Sequence, residues 1–291
     1  MSELKIYDPG FYNLGRAEYD AAAGIRNTEL GWAAKSMRHY AHYKQFPPGE
    51  TAAKRDGQLI HRAILEPEEF DKTTVVLPED APNRPSIRQR EAKKPSPATI
   101  EAIAWWSDFG KKHAGKAIIS AEESREILNI IEAVWKDKEA GEILRNCKRR
   151  ELAVFSRHES TGLLLKSSLD LLTADDSEIW DIKTTVDGEP EAYRRAVTNF
   201  GYHRQAAFYP GHFPRLGLKR PAFGHIIVEK EPPYMVSVRP FDDESIEIGR
   251  AEVSALLHRI AHSQQTKSYP GYHTGRELTG LTYWKIKEAM Q

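Results

Sequence analysis

The sequence predicts a mixed α/β (α+β) protein: a central mixed sheet containing a β-meander, flanked by helices and preceded by a mainly helical N-terminal part. Three observations predict it. Up to residue 145 apolar residues recur three or four apart. Between Glu151 and Thr185 they form short runs divided by turn-forming clusters. After Pro190 helical and strand-like patterns alternate.

Taken in order, "NTELGWAAKSMRHYAHYKQF" offers a cap at Asn27 or Thr28 and sets Leu30, Ala34, Met37 and Ala41 on one helical face. "DGQLIHRAILEPEEF" gives a second helix through Leu59, Ala63 and Ile64. "APNRPSIRQREAKKPSP" (81–97) holds four prolines and five basic residues in 17 positions, which predicts a mobile basic loop and the one candidate linker. Helices follow at about 97–114 and 121–145, the latter carrying Ile127, Ile130, Ile131 and Val134. "ELAVFSRHESTGLLLKSSLDLLTADDSEIWDIKTT" then supplies three strands separated by "HESTG" and "ADDS". A helix over about 189–211, strands in "AFGHIIVEK" and "YMVSVRPF", and a helix over about 243–264 complete the pattern. With no internal repeat, the expectation is one domain over 1–291: a helical part to 145, sheet and helices over 146–264, and a tail over 265–291.

Composition excludes several classes. The 42 basic and 42 acidic side chains cancel, so any polyanion must be held by local patches rather than by a global field. Cys147 is the sole cysteine, which rules out a disulfide framework, a cysteine-rich zinc module and a four-cysteine iron–sulfur cluster. No run approaches the roughly 20 apolar residues of a membrane span, and "MSELKIYDPG" has no signal-peptide core, so a cytoplasmic protein is expected. A phosphate-cradling Gly-rich loop, a GxSxG elbow and HExxH are all missing. His258 and His262 are four apart on a helix but have no third ligand, and read as surface histidines.

The chemistry concentrates in "DLLTADDSEIWDIK". If Asp175 and Asp176 form a two-residue hairpin loop, Asp170 lies opposite Asp181. Alternation then puts Lys183 on the same face, and Trp180 and Ile182 on the other. Opposed carboxylates destabilise a strand pair unless a cation lies between them. A hard divalent ion such as Mg²⁺ suits carboxylate oxygens. A lysine two residues on can orient or deprotonate a water, or neutralise charge on a phosphate. The flanks "GLLLKSSLDLL" and "EIWDIKTT" are too apolar for a solvated hairpin, so a charged trio within them needs a reason.

Asp170 followed by Asp181-Ile182-Lys183 resembles the signature of the PD-(D/E)XK nuclease superfamily. From "EYDAAAGIRNTELG" through "GQLIHRAILEPEEF", "WDIKTT" and "YHRQAAFY" to "YPGY" the chain is similar to the exonuclease domain of RecE-type phage and prophage recombination enzymes. The resemblance implies a Mg²⁺-dependent exonuclease, with Mn²⁺ able to substitute, that hydrolyses linear double-stranded DNA from its 5′ ends. It implies that His61, Asp170, Asp181 and the main-chain carbonyl of Ile182 hold metal, that Glu151 assists, and that Lys183 positions or activates the attacking water. Gln205 and Tyr209, four apart on one helical face, would be positioning residues. Lys148, Arg149 and Arg150, just before Glu151, are better placed for DNA, and Arg84, Arg88, Arg90, Lys93 and Lys94 form a second basic cluster that offers contacts to phosphates, although an exposed charge run is usually only a solvated loop. "IRNTEL" is a loose version of the family's early helix start, and Ser167-Ser168 stand where a more basic pair is usual. The resemblance further implies a ring-shaped homo-oligomer, a single-strand-annealing partner protein, and a phage or prophage origin in a bacterial cytoplasm. Two rival readings stay open: an endonuclease or repair nuclease of the same superfamily, and a DNA-binding module that has lost catalysis.

Overall fold

A computed structural model describes residues 4–272, 275, 276, 278–281 and 283–290. The N-terminal part is helical, as expected, but its helices are shorter than the apolar periodicity suggested. After α1 (Arg16–Ala21), the stretch read as one helix divides into α2 (Asn27–Lys35) and α3 (Met37–Gln45). Ser36 makes the break: its backbone is extended and its hydroxyl oxygen accepts the His39 N–H at 3.1 Å, capping α3. Next, α4 (Ala52–Leu65) stops at Glu66 because Pro67 has no N–H to continue it, and that proline opens α5 (Pro67–Thr73). The basic segment expected to be loop holds one turn, α6 (Ile87–Arg90), fixed by a capping box between Ser86 and Gln89. Beyond α7 (Pro97–Lys112), Asp137 divides the last expected helix into α8 (Ala121–Lys136) and α9 (Lys138–Asn146), accepting the Ala140 N–H at 2.8 Å. Periodicity cannot register such breaks, since an internal cap leaves the apolar spacing intact.

The strands are β1 (Gly10–Tyr12), β2 (Thr74–Val76), β3 (Ala117–Ile119), β4 (Arg149–Arg157), β5 (Leu164–Leu172), β6 (Glu178–Thr185), β7 (Ala222–Glu229) and β8 (Val236–Pro240). Six of them form the central sheet in the order β1-β4-β5-β6-β7-β8, while β2 and β3 pair separately. The expected meander is β4-β5-β6. In the sheet only β6 and β7 run parallel, and they set Asp181 beside His225. A parallel neighbour requires a crossover. It is made by α10 (Pro190–Phe200), α11 (Tyr202–Phe208) and α12 (His212–Arg215), where a single helix was expected. Gly201, at φ 69°, makes the turn between α10 and α11 in a left-handed conformation that suits glycine.

One sheet face buries Leu171, Ile182, Ile226 and Val228 against Ile64 of α4, Ile130 and Val134 of α8, and Leu144 of α9. The other buries Leu152, Val154, Leu169, Leu172 and Ile179 against Ala206 of α11 and Phe213 of α12. Burying each such side chain contributes about 1.5–3 kcal/mol. The long α13 (Asp243–Thr266) backs α11 at Gly249, where a Cβ would collide with the His203 carbonyl oxygen. The expected tail carries α14 (Tyr283–Ala289). Ser167, where a basic residue is usual, faces the core: buried His212 lies between the hydroxyls of Ser156 (2.7 Å) and Ser167 (2.9 Å).

Candidate active site

The site forms where two strand ladders fail together. Across β4 and β5, Arg150 pairs with Leu171 and Leu152 with Leu169, but Glu151 and Asp170 between them drop out. Glu151 has φ 46°, a left-handed conformation uncommon for a residue with a Cβ. Across β5 and β6, Leu171 pairs with Trp180 and Leu172 with Ile179, which is the predicted register. The loop is wider than expected: Thr173 donates to the Glu178 carbonyl at 3.0 Å, so Ala174 to Ser177 form it rather than Asp175 and Asp176 alone. The ladder ends one position before Asp170 and Asp181 would face each other. Instead, Asp170 Oδ2 accepts the Ile182 N–H at 2.9 Å. A side-chain oxygen thus satisfies a buried donor that the ladder abandons.

Helix α4 seats Leu59, Ile60, Ala63 and Ile64 in the core and leaves His61 half-buried at the edge of the site. His61 Nδ1 is 3.3 Å from Asp170 Oδ2. Ligand atoms of His61, Glu151 and Asp170 all lie within 4.8 Å of one another. Ser168 donates to Glu151 Oε2 at 3.1 Å. Asp181, buried next to this group, has its two oxygens engaged separately. Gln205 Nε2 donates to Oδ1 at 2.5 Å, and the Lys183 ammonium lies 2.6 Å from Oδ2. That ammonium is also 4.9 Å from the centroid of the Tyr202 ring. Tyr209, one turn beyond Gln205, sets its ring at 89° to Phe223.

Charge explains the composition of the site. Burial, and then the charge of Asp170, push the Glu151 carboxyl up to about 7. Burial followed by the charge of Asp181 raises Asp170 well above the usual carboxylate range. Burial also lowers the His61 imidazole, which favours its neutral, ligating form. Burial acts on Asp181 in the same upward sense, but Lys183 outweighs it with help from His225 and His61 and holds that carboxyl below its ordinary value. Burial would lower Lys183, yet Asp181, Tyr202 and Asp170 keep its ammonium above the usual lysine value. One imidazole nitrogen and several crowded carboxylate oxygens, two of them on groups pushed toward protonation, form a donor set that a divalent cation fits.

Of the residues singled out in the sequence, His61, Glu151, Asp170, Asp181, Ile182, Lys183, Gln205 and Tyr209 converge here. Glu151 stands closer to the centre than expected, within the group of candidate ligands, and Asp181 stands one contact further out. The basic trio does not act together. Lys148 is exposed, Arg149 pairs with Asp176 and donates to the Thr173 carbonyl at 3.1 Å, and Arg150 donates to the carbonyls of Leu65 (3.2 Å) and Leu144 (2.9 Å). The two arginines are therefore engaged within the protein, while Lys148 is exposed. His258 and His262 are exposed, as read. Tyr202 was missed, although it precedes Gln205 by three residues and so shares its helical face.

A carboxylate on one strand, an acid-x-lysine on the next and a mixed sheet between helices define a PD-(D/E)XK-type fold. Residues 33–278 match the profile of the PDDEXK-like domain of unknown function (DUF3799), and the chain belongs to that family. A crystal structure of a presumed exonuclease from Eubacterium rectale superposes with a TM-score of 0.57 over 96% of this chain and 99% of that one, at 11% identity. An alkaline exonuclease from Laribacter hongkongensis gives a TM-score of 0.26 over 72% of this chain and 97% of that one, at 15% identity. The first of these likenesses is one of fold. No curated protein matches the chain.

Proposed function

We propose that the protein is a divalent-metal-dependent deoxyribonuclease that degrades linear double-stranded DNA from its ends. The observation that carries this reading is the convergence of His61, Glu151 and Asp170 beside the Asp181–Lys183 pair at the one place where both ladders break. His61, Glu151, Asp170 and Asp181, with the Ile182 carbonyl, would hold Mg²⁺ or Mn²⁺. The chemistry such an ion would supply there is polarisation of a phosphodiester and neutralisation of its charge.

The chain's own residues do the rest. Lys183 stays protonated beside Asp181, so its contribution is a fixed positive charge that orients a water and a phosphate oxygen. Gln205 holds the Asp181 carboxylate in one orientation, and Tyr202 covers the ammonium. Ser168 fixes Glu151. Lys148, exposed just before the site, contacts a backbone phosphate.

The sequence likeness to RecE-type enzymes supports the finer reading: attack at 5′ ends, a role in phage or prophage recombination within the bacterial cytoplasm, a single-strand-annealing partner and a ring-shaped homo-oligomer. No described helix is long and apolar enough to cross a membrane. The test is incubation of the purified protein with end-labelled linear duplex and with covalently closed circular duplex, in Mg²⁺ and in EDTA. Linear DNA should be degraded in Mg²⁺ alone, with 5′-labelled nucleotide released early, and circular DNA should survive. Cutting of the circle would make the protein an endonuclease, and inactivity on both would leave a binding module.

A further inference from the structure

We propose that the segment from Pro78 to Lys116 is an arm that grips the phosphate backbone of the DNA engaged at the site, through Arg88, Arg90, Lys93 and Lys94. The proposal rests on the nuclease reading and adds a second point of contact to it.

The segment leaves β2 and returns through the parallel strand β3, so it is a crossover that starts beside Ile119, where Leu77 donates to the Ile119 carbonyl at 2.8 Å, and ends at Ala117 beside Thr74. Its root is tied to α4. Arg55 donates to the Ile118 carbonyl at 3.1 Å and pairs with Glu123 at 3.1 Å. Arg55 precedes His61 by six residues, about 9 Å along the helix. The arm's base is therefore anchored on the element that carries a candidate metal ligand.

Beyond its root the arm packs on itself. Helix α7 buries only Ala102 fully. Trp105 stacks on Phe109 with centroids 4.8 Å apart, Trp106 Nε1 donates to the Pro82 carbonyl at 2.9 Å, and the Arg84 guanidinium lies 5.1 Å from the Trp106 ring. This small aromatic core, with prolines at 82, 85, 95 and 97, restrains the basic stretch and reduces the ordering cost of binding.

The charge is not neutralised by any ion pair among the described residues. Residues 84–94 carry five basic side chains and one acidic one, in a chain whose total charge is zero. Arg88, Arg90, Lys93 and Lys94 are all exposed, and among the described residues none of them pairs with a carboxylate, whereas Arg26, Arg55, Arg149 and Arg204 do. Clustered like charges repel, and a polyanion relieves that repulsion. With Arg149 and Arg150 engaged within the protein, this is the local patch that a neutral DNA-binding chain requires.

The test compares the wild type with an R88A/R90A/K93A/K94A variant and with a control of equal charge, K35A/K138A/K219A/K267A. Fluorescence anisotropy of a labelled duplex and of the same strand unpaired is measured in Ca²⁺ over a range of salt, with thermal melting to verify folding. The arm variant should bind at least one DNA about ten-fold or more weakly, with a log–log salt slope shallower by about 3, while the control keeps the wild-type slope. A loss confined to duplex, or to single strand, identifies which backbone the arm holds. Equal slopes for the arm variant and wild type would overturn the arm and leave the nuclease reading standing. If the wild type binds neither DNA, both fall.

Discussion

Asp170 accepts the main-chain N–H of Ile182 on the same oxygen that lies 3.3 Å from His61 Nδ1. One carboxylate thus closes the gap between two strands and supplies the centre of the candidate metal site. The two duties separate by substitution. Asp170→Asn keeps an acceptor and removes the charge, so it should be at least as stable as the wild type without metal, yet gain no thermal stability on titration with Mg²⁺ or Mn²⁺. Asp170→Ala leaves a buried N–H without a partner and should lose about 1–3 kcal/mol by chemical denaturation. A normal metal-induced shift in Asp170→Asn would place the metal elsewhere.

Lys183 should matter to turnover rather than to affinity. Lys183→Ala should bind linear duplex in Ca²⁺ about as well as wild type and cut slower by a factor on the order of 10² or more in single turnover. Lys183→Arg should recover little, because a planar guanidinium does not fit between Asp181 and the Tyr202 ring as a compact ammonium does. Tyr202→Phe keeps the ring and should cleave near the wild-type rate. Tyr202→Leu should cost roughly three- to thirty-fold, the scale of a buried cation–π contact.

Arg150 joins the C-terminal ends of α4 and α9 through the carbonyls of Leu65 and Leu144 and lies over Trp135. Arg150→Ala should lower stability by about 1.5–3 kcal/mol, the range for a charged hydrogen bond. The salt dependence of DNA binding should not change. A flatter slope with undiminished stability would return this arginine to the DNA.

His212 is buried, and burial pushes its imidazole down to about 3. In the unfolded chain it titrates near 6.5. Its stabilising contribution is therefore complete above about pH 6.5 and is lost as pH falls toward 3, because only the unfolded state takes up the proton. The slope in that window is about 1.4 kcal/mol per pH unit. Glu151 and Asp170, both raised, act in the opposite direction, so the measurement is a difference. Denaturation of wild type and of His212→Gln between pH 6 and pH 4 should show the wild type losing stability faster with acid. Parallel curves would mean that this imidazole is protonated in the native protein.

The sheet, its meander and the register around Asp170 were legible because strand alternation and turn chemistry are local properties. The internal caps at Ser36 and Asp137 were not, since a cap interrupts the backbone without disturbing the apolar spacing. The three-residue strands β1, β2 and β3 are too short for alternation to register. In the site, the acid-x-lysine on β6 and its partner Asp170 could be read from spacing alone. His61, Glu151, Gln205 and Tyr209 needed the family resemblance, because they arrive from elements distant in sequence. The internal partners of Arg149 and Arg150 were not legible either, because charge in a sequence does not reveal whether a nearby carbonyl engages it.

Position 151 combines a left-handed backbone, which glycine adopts freely, with a carboxyl raised by burial and a neighbouring acid. Both features oppose folding, and glycine would remove both. Codons for glutamate and glycine differ by a single base. This gene thus stands one point mutation from a protein relieved of both and lacking one of its central carboxylates, and selection for what that carboxylate does would hold it back.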